Sequence, residues 1–459
     1  MKSYSHTFYA LLSAAVLLFA FQRCSDDTPT EPPPGAGPDT LLHITLIETG
    51  YVSVLLKLHS PSGVDEMEYA LEREGEIVLE GSFFGADTVV VDRGLVSSHD
   101  YAYRLYRVVD AKYVDTSAIV IAHTTDHSQQ DTTSHDVTWE ILTFGREAID
   151  ASIFRDIYAL NDDDIWVVGV IRTDDYMHLD SLGREIQAYN AVHWDGKEWT
   201  YHRLNADSLY GQNAFTHLYA MYLFGHNYVL GVDDGGELNW WDGEKYWKQR
   251  TPSGTRRGTI ARVFAYSDNH YFLAGSNGSL TEYRDGTFSL IETGTTGRFV
   301  DIHGNKDGYI YVGGWDLQQG IGNFLRIRDG EVIDVRKSFL EFADAIYCSD
   351  DTVYAYGGGG VMIQSIKDTS HYRLVRTKSF ADHIGWIKAM RGIGDNNIFA
   401  AGLFGTILHY NGKSWKRLSE WDETNRTTLS SIAMTERHVY IAGVNLLTGQ
   451  AVIYKGTFR

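Results

Sequence analysis

Two cysteines and seven prolines are few for 459 residues. Two thiols, Cys24 and Cys348, cannot build the disulfide framework of a small secreted scaffold, so burial and hydrogen bonding must hold the fold. Long apolar stretches are scarce too. The run from Phe8 to Phe21 is shorter than a membrane-spanning helix needs. Positive charge is short: 40 Lys and Arg against 60 Asp and Glu leave a formal charge of -20. That balance argues against nucleic acid as a partner, since phosphate binding rests on a field of basic side chains. The chain lacks a Gly-x-Ser-x-Gly elbow, a phosphate loop and a His-Glu-x-x-His zinc helix.

What is present is aromatic and glycine-rich: 29 Tyr, 20 Phe, 11 Trp and 45 Gly. Such a composition points to many strands joined by tight turns. Cys348 sits in the apolar run Ala345-Ile346-Tyr347-Cys348 and reads as a buried thiol packed like a small hydrophobe.

Residues 1–24 read as an address: Lys2, then the apolar core, then Arg23-Cys24-Ser25-Asp26-Asp27. A Cys directly after a signal core resembles the lipobox of bacterial lipoproteins, although Arg23 stands where that family places a small residue. The resemblance implies lipidation of Cys24 and a membrane anchor. Ser25-Asp26-Asp27 resembles the acidic signal that directs such lipoproteins to the cell surface in Bacteroidetes-type bacteria, so an outer-membrane, surface-exposed location is expected, with simple secretion as the alternative. Residues 25–40 carry three consecutive prolines and read as an extended tether.

Residues 41–125 show strands only. Tyr51 to Leu58 is one, and Glu66 to Arg73 with Glu76 to Phe84 forms a hairpin around Glu74-Gly75. Leu95 lies six residues before Tyr101, and Leu58 stands where a core Trp is usual. The segment resembles a fibronectin type III domain, which implies a small β-sandwich with a tyrosine corner at Tyr101. Residues 126–136 are polar and without period, a linker.

From residue 137 onward a unit repeats. Its second strand recurs as Ile165-Trp166-Val167-Val168-Gly169, Tyr228-Val229-Leu230-Gly231, Tyr271 to Gly275, Tyr309 to Gly313, Val353 to Gly357, Ile398 to Gly402 and Val439 to Gly443. The copies lie mostly about 38–45 residues apart, the period of four-stranded propeller blades. Turns recur as Asp195-Gly196, Asp242-Gly243, Asp285-Gly286, Asp329-Gly330, Asn411-Gly412 and, more weakly, Lys455-Gly456, read as type I′ hairpins. Aromatics follow them at Trp199, Trp247, Phe288 and Trp415, read as packing between blades. The last copy stops where a fourth strand should begin. An orphan strand, Thr138 to Thr143, resembles Ser414 to Leu418, so it is expected to complete the last blade. The expected fold is all-β: a fibronectin type III-like sandwich, then over 137–459 a seven-bladed β-propeller closed by its N-terminal strand. The propeller resembles those of secreted lipoproteins in Bacteroidetes-like bacteria.

First strands line a propeller's channel. The residues just before their apolar positions are Asp156, His217, Arg262, Asp301, Asp344, Lys388 and Ser431, a candidate ligand site in the channel. Asp301 and Asp344 could do acid/base work, or the set could line a solvated channel. No metal or cofactor is expected. Asp162-Asp163-Asp164 lacks the EF-hand's Gly and Glu, and it recurs as Ser349-Asp350-Asp351 and Asp395-Asn396-Asn397, so it reads as a hairpin turn. The first unit carries an insertion, Arg172 to Ala188, the kind of long loop where binding concentrates. The reading favours a non-catalytic binding or scaffold protein facing a glycan or protein partner. Alternatives are a glycan-active hydrolase or lyase and an envelope assembly factor.

Overall fold

A computed structural model describes residues 41–458, except 50–52, 65, 94, 96–98, 125–132, 149–150, 180–185, 205–215, 234, 317–319, 337–342, 358–359, 376–385 and 420–425. The segments expected as signal with Cys24 and as tether, most of the expected linker and the centre of the insertion lie outside the described residues.

Two sheets pack face to face in the first part. One runs His43–Thr49, Ser53–His59, Asp87–Arg93. The other runs Glu76–Phe84, Glu66–Arg73, Asp100–Val109, Lys112–Thr116, with Val120–His123 also paired to Asp100–Val109. Alternation makes the core. Met67, Tyr69, Leu71, Tyr101, Tyr103 and Leu105 point inward against Val54, Leu56, Leu58 and Val90. One carboxylate is buried there: Asp92 accepts from the Tyr103 hydroxyl at 2.7 Å and from Arg73 Nη1 at 2.7 Å. The Glu74-Gly75 turn has positive φ at both residues, as a type I′ hairpin requires.

Among the described residues, seven four-stranded antiparallel sheets follow. We number them by their innermost strands: Ile153–Asn161, Leu218–Gly225, Ile260–Ser267, Arg298–Gly304, Ala345–Cys348, Ile387–Gly392 and Thr427–Met434. Each innermost strand touches the next, and the seventh touches the first, so the sheets form a closed ring. Val137–Phe144 pairs antiparallel with Gln450–Phe458, Phe144 opposite Ala451 and Val137 opposite Phe458. The seventh sheet is therefore built from both ends of this region, and the sheet edge that Gln450–Phe458 would present is covered.

The recurring glycine has a steric cause. Innermost strands bulge at Arg155, Tyr219, Ala261, Val300, Lys388 and Ser430. Next to each bulge the second strand approaches a carbonyl of the first. A Cβ at Gly169, Gly275, Gly314, Gly402 or Gly443 would sit 1.7–2.0 Å from that oxygen. Register corrects two sequence alignments. Gly314, rather than Gly313, holds this place in the fourth sheet. In the second sheet Asp233 holds it, opposite Leu218, and Gly231 lies two residues earlier.

The turns also divide. Asp285-Gly286 and Asp329-Gly330 have two positive φ values and are type I′. In Asp195, Asp242 and Asn411 the side-chain oxygen instead accepts the N–H groups two and three residues on. Lys455-Gly456 is no turn; it lies inside the strand Gln450–Phe458. The aromatics after the turns mostly pack across strands of their own sheet: Trp247 stacks on Trp240 and Trp415 on Tyr410, and Phe288 meets Tyr283 at a tilt. Trp199 also meets Phe144 of the seventh sheet.

The sandwich touches the ring at the second sheet. His226 N–H donates to Val89 O at 3.2 Å, beside a cleft of about 230 Å³.

Candidate functional site

The bulges sort the channel residues into three tiers. One tier holds Asp156, Arg262, Asp301 and Ser431, each just past its bulge. At the bulges stand Arg155, Tyr219 and Lys388. Asp344 takes the matching place in the fifth sheet, its N–H donating to Tyr356 O just ahead of the Ala345–Tyr356 pair. Nearest the strand starts are His217, Arg298 and Trp386, whose next residues pair with Asp233, Gly314 and Gly402. The seven sequence candidates are thus not equivalent positions. The bulge adds a residue to each strand, and counting back from the apolar positions cannot see it.

Two of the candidates are structural latches. Asp156 accepts Ile157 N–H at 3.1 Å, Met221 N–H of the second sheet at 3.0 Å and the Ser431 hydroxyl of the seventh at 2.6 Å. Asp301 repeats the motif with Ile302 N–H at 3.0 Å and Ile346 N–H of the fifth sheet at 2.8 Å. It also takes both terminal nitrogens of Arg391 at 3.0–3.1 Å. Asp301 is 1% exposed, so the fork is a buried ion pair. Arg391 also donates to Ile346 O and Met390 O, tying the fourth, fifth and sixth sheets. Behind it lie His303, pushed down to about 3 by burial and by Arg391, and Cys348, whose thiol burial pushes up. The Cys348 Sγ lies 3.8 Å from His303 O, consistent with an inert buried thiol.

The bulge and outer tiers differ. Asp344 is buried, and burial raises its carboxyl to about 7 although the Trp386 indole N–H donates to it and Lys388 attracts it. Lys388 is exposed, yet burial of its surroundings and repulsion from Arg262, Arg298 and Arg155 lower its pKa against the pull of Asp344. Arg155 lies over the Tyr219 ring at 4.4 Å. Four cations from four sheets therefore gather at one channel mouth of a chain whose net charge is -20. Arg155, Arg298 and Trp386 were not legible as site residues from sequence. His217 is exposed on the same tier as Arg298 and Trp386.

The acidic turns join neighbouring sheets. Asp162 accepts from Thr435, Arg437, His438 and Tyr440 of the seventh sheet. Burial opposes its charge, but those bonds hold its carboxyl at about 2. Asp164 takes His193 at 2.8 Å and His226 of the second sheet at 2.7 Å. Asp395 accepts from Tyr354 at 3.0 Å, and Asp268 from Tyr228 at 3.2 Å. Among the described residues no group of three or more His, Cys, Asp or Glu could hold a metal ion. In the insertion, Tyr176 lies between Arg146 and Arg172, with ring contacts at 5.5 and 5.4 Å.

No family model and no curated protein matches this sequence. Solved structures do. A structure described as YCF48 bound to D1 peptide superposes with a TM-score of 0.52 at 12% identity, over 72% of this chain and 100% of that one. YCF48 from Cyanidioschyzon merolae gives 0.50 at 14% identity, over 69% and 98%. The ring is a β-propeller. At such identities the likeness concerns fold alone.

Proposed function

We propose that the protein is a non-catalytic binding or scaffold protein, anchored at the bacterial surface, that presents its propeller mouth to a glycan or protein partner. The reading comprises a seven-bladed propeller on a fibronectin type III-like sandwich, raised on the residue 25–40 tether from a lipidated Cys24. The observation that carries it is the division of labour in the channel. The carboxylates Asp156 and Asp301 are spent on holding sheets together, and the side chains left facing solvent at the mouth are cationic and aromatic. Such groups recognise; they do not form an acid/base pair. A structural neighbour described as bound to a peptide supports the propeller as a partner-binding frame.

One observation favours the hydrolase or lyase alternative: the Asp344 carboxyl near 7 is suited to proton transfer. Its expected partner, Asp301, is held in the Arg391 fork, which favours binding over turnover.

The test uses the chain from Ser25 onward on glycan and acidic-peptide arrays, beside a variant carrying Arg155→Gln, Arg298→Gln and Lys388→Gln. Binding that the variant loses supports the reading. Binding by neither form, or equally by both, overturns the mouth as the docking face. Fatty-acid labelling of the full precursor in its bacterial host, lost in Cys24→Ser, checks the anchor.

A further inference from the structure

The mouth offers two kinds of surface side by side. Arg155, Arg262, Arg298 and Lys388 bring positive charge from the first, third, fourth and sixth sheets. Trp386 adds an indole 44% exposed, and its N–H is engaged by Asp344, which fixes the ring's orientation. An exposed, oriented indole is a flat apolar platform with a polar edge. Guanidinium groups match planar carboxylates and bind them through paired hydrogen bonds. A pyranose ring presents a C–H face for stacking, and a uronic acid carries a carboxylate at its rim. An acidic peptide supplies the charge without needing the platform.

We infer that the mouth formed by Arg155, Arg262, Arg298, Lys388, Trp386 and Asp344 is a binding site for a uronate-bearing oligosaccharide, stacked on Trp386 with its carboxylates on the surrounding cations. This inference rests on the proposed binding role and names its ligand class. Asp344, buried beneath the indole, holds Trp386 in place by accepting its N–H. Repulsion among the four cations in the empty mouth is relieved when carboxylates enter, so binding weakens as salt rises.

The experiment is calorimetric titration of the chain from Ser25 onward with trigalacturonate, its methyl ester and hexaglutamate. Trigalacturonate is expected to bind at low salt, with the uncharged ester and hexaglutamate each at least tenfold weaker. Arg262→Gln/Lys388→Gln is expected to weaken trigalacturonate at least tenfold, and Trp386→Ala at least fivefold with no change in net charge. Trp386→Phe, which keeps a ring but not the N–H, serves if the alanine variant fails to fold, and thermal unfolding checks each protein. Absence of trigalacturonate binding overturns the inference. So does hexaglutamate binding as tightly with Trp386 variants unchanged, which makes the mouth an acidic-peptide site. If trigalacturonate fails while an array partner still binds through the mouth cations, only this inference falls and the binding role stands. If no ligand depends on those cations, both fall.

Discussion

The Tyr440 hydroxyl lies 3.1 Å from Asp162 Oδ1, a bond between the seventh sheet and the first. Asp162 sits in the turn after the first innermost strand and takes three further donors from the segment Thr435 to His438. With Asp156–Ser431 on the channel side, it pins the seam where the ring closes. Asp162→Ala should lower stability by about 2–4 kcal/mol, since several bonds to one charge are lost together. Tyr440→Phe should cost only about 1 kcal/mol. Urea unfolding of both variants checks the ordering.

The same carboxylate makes a pH prediction. Its folded value, about 2, lies below the ordinary 3.8, so its contribution is present above 3.8 and is lost as pH falls from there toward 2. Buried imidazoles act earlier. Burial lowers His303 and His409 to about 3 and His202 to about 4. A lowered base contributes fully above its unfolded value, about 6.5, and loses that contribution as pH falls through the window below it. The thermal midpoint should therefore fall steadily from about pH 6.5 downward. His409→Gln should flatten the slope, and an unchanged slope would falsify this account.

Asp344 titrates in the opposite sense. Its folded value is raised to about 7, so the folded state holds a proton that the unfolded chain has released. Stability attributable to this group falls as pH rises from about 4 to 7 and is level above that. Asp344→Asn should stabilise the protein at pH 8 by about 2–4 kcal/mol and do nothing at pH 3.5. Chemical denaturation at the two pH values separates these outcomes.

The Asp301–Arg391 fork should behave as a buried pair. Asp301→Leu alone strands a buried guanidinium and should cost about 3–5 kcal/mol. Adding Arg391→Met should recover much of that loss. A double variant no better than the single one would mean that Asp301's bonds to Ile302 and Ile346, rather than the ion pair, dominate.

Two glycines of the repeat should respond very differently to alanine. At Gly275 the added Cβ meets Thr259 O at 1.7 Å, and Gly275→Ala should cost about 3 kcal/mol. Gly286 has open space around it and φ of 83°, so Gly286→Ala should cost about 1–2 kcal/mol from the backbone conformation alone. Paired thermal melts decide the order.

Much of the architecture could be read from the chain. Runs such as Tyr271 to Gly275 carry strand and bulge in one word, because the glycine is required where a carbonyl comes close. The acidic turns were legible as turns, yet not as joints between sheets, since the Tyr354 that binds Asp395 lies 41 residues away. The channel site was legible only in part. Arg262, Asp344 and Lys388 were singled out, and Arg155, Arg298 and Trp386 were missed. A bulge turns two successive residues toward the same region, so alternation alone cannot say which of Arg155 and Asp156 latches and which faces solvent.

By itself, the sequence determined the repeating strand-and-turn unit, through glycine, Asp-Gly turns and period-two burial, because those signals act over a few residues. Only the tertiary structure decided the fate of each charge. Asp301 met Arg391 and two N–H groups and became part of the frame, whereas four cations from four sheets met at one mouth. Coulomb energies and desolvation depend on distance in space, and closing the ring brings residue 155 within electrostatic reach of residue 388.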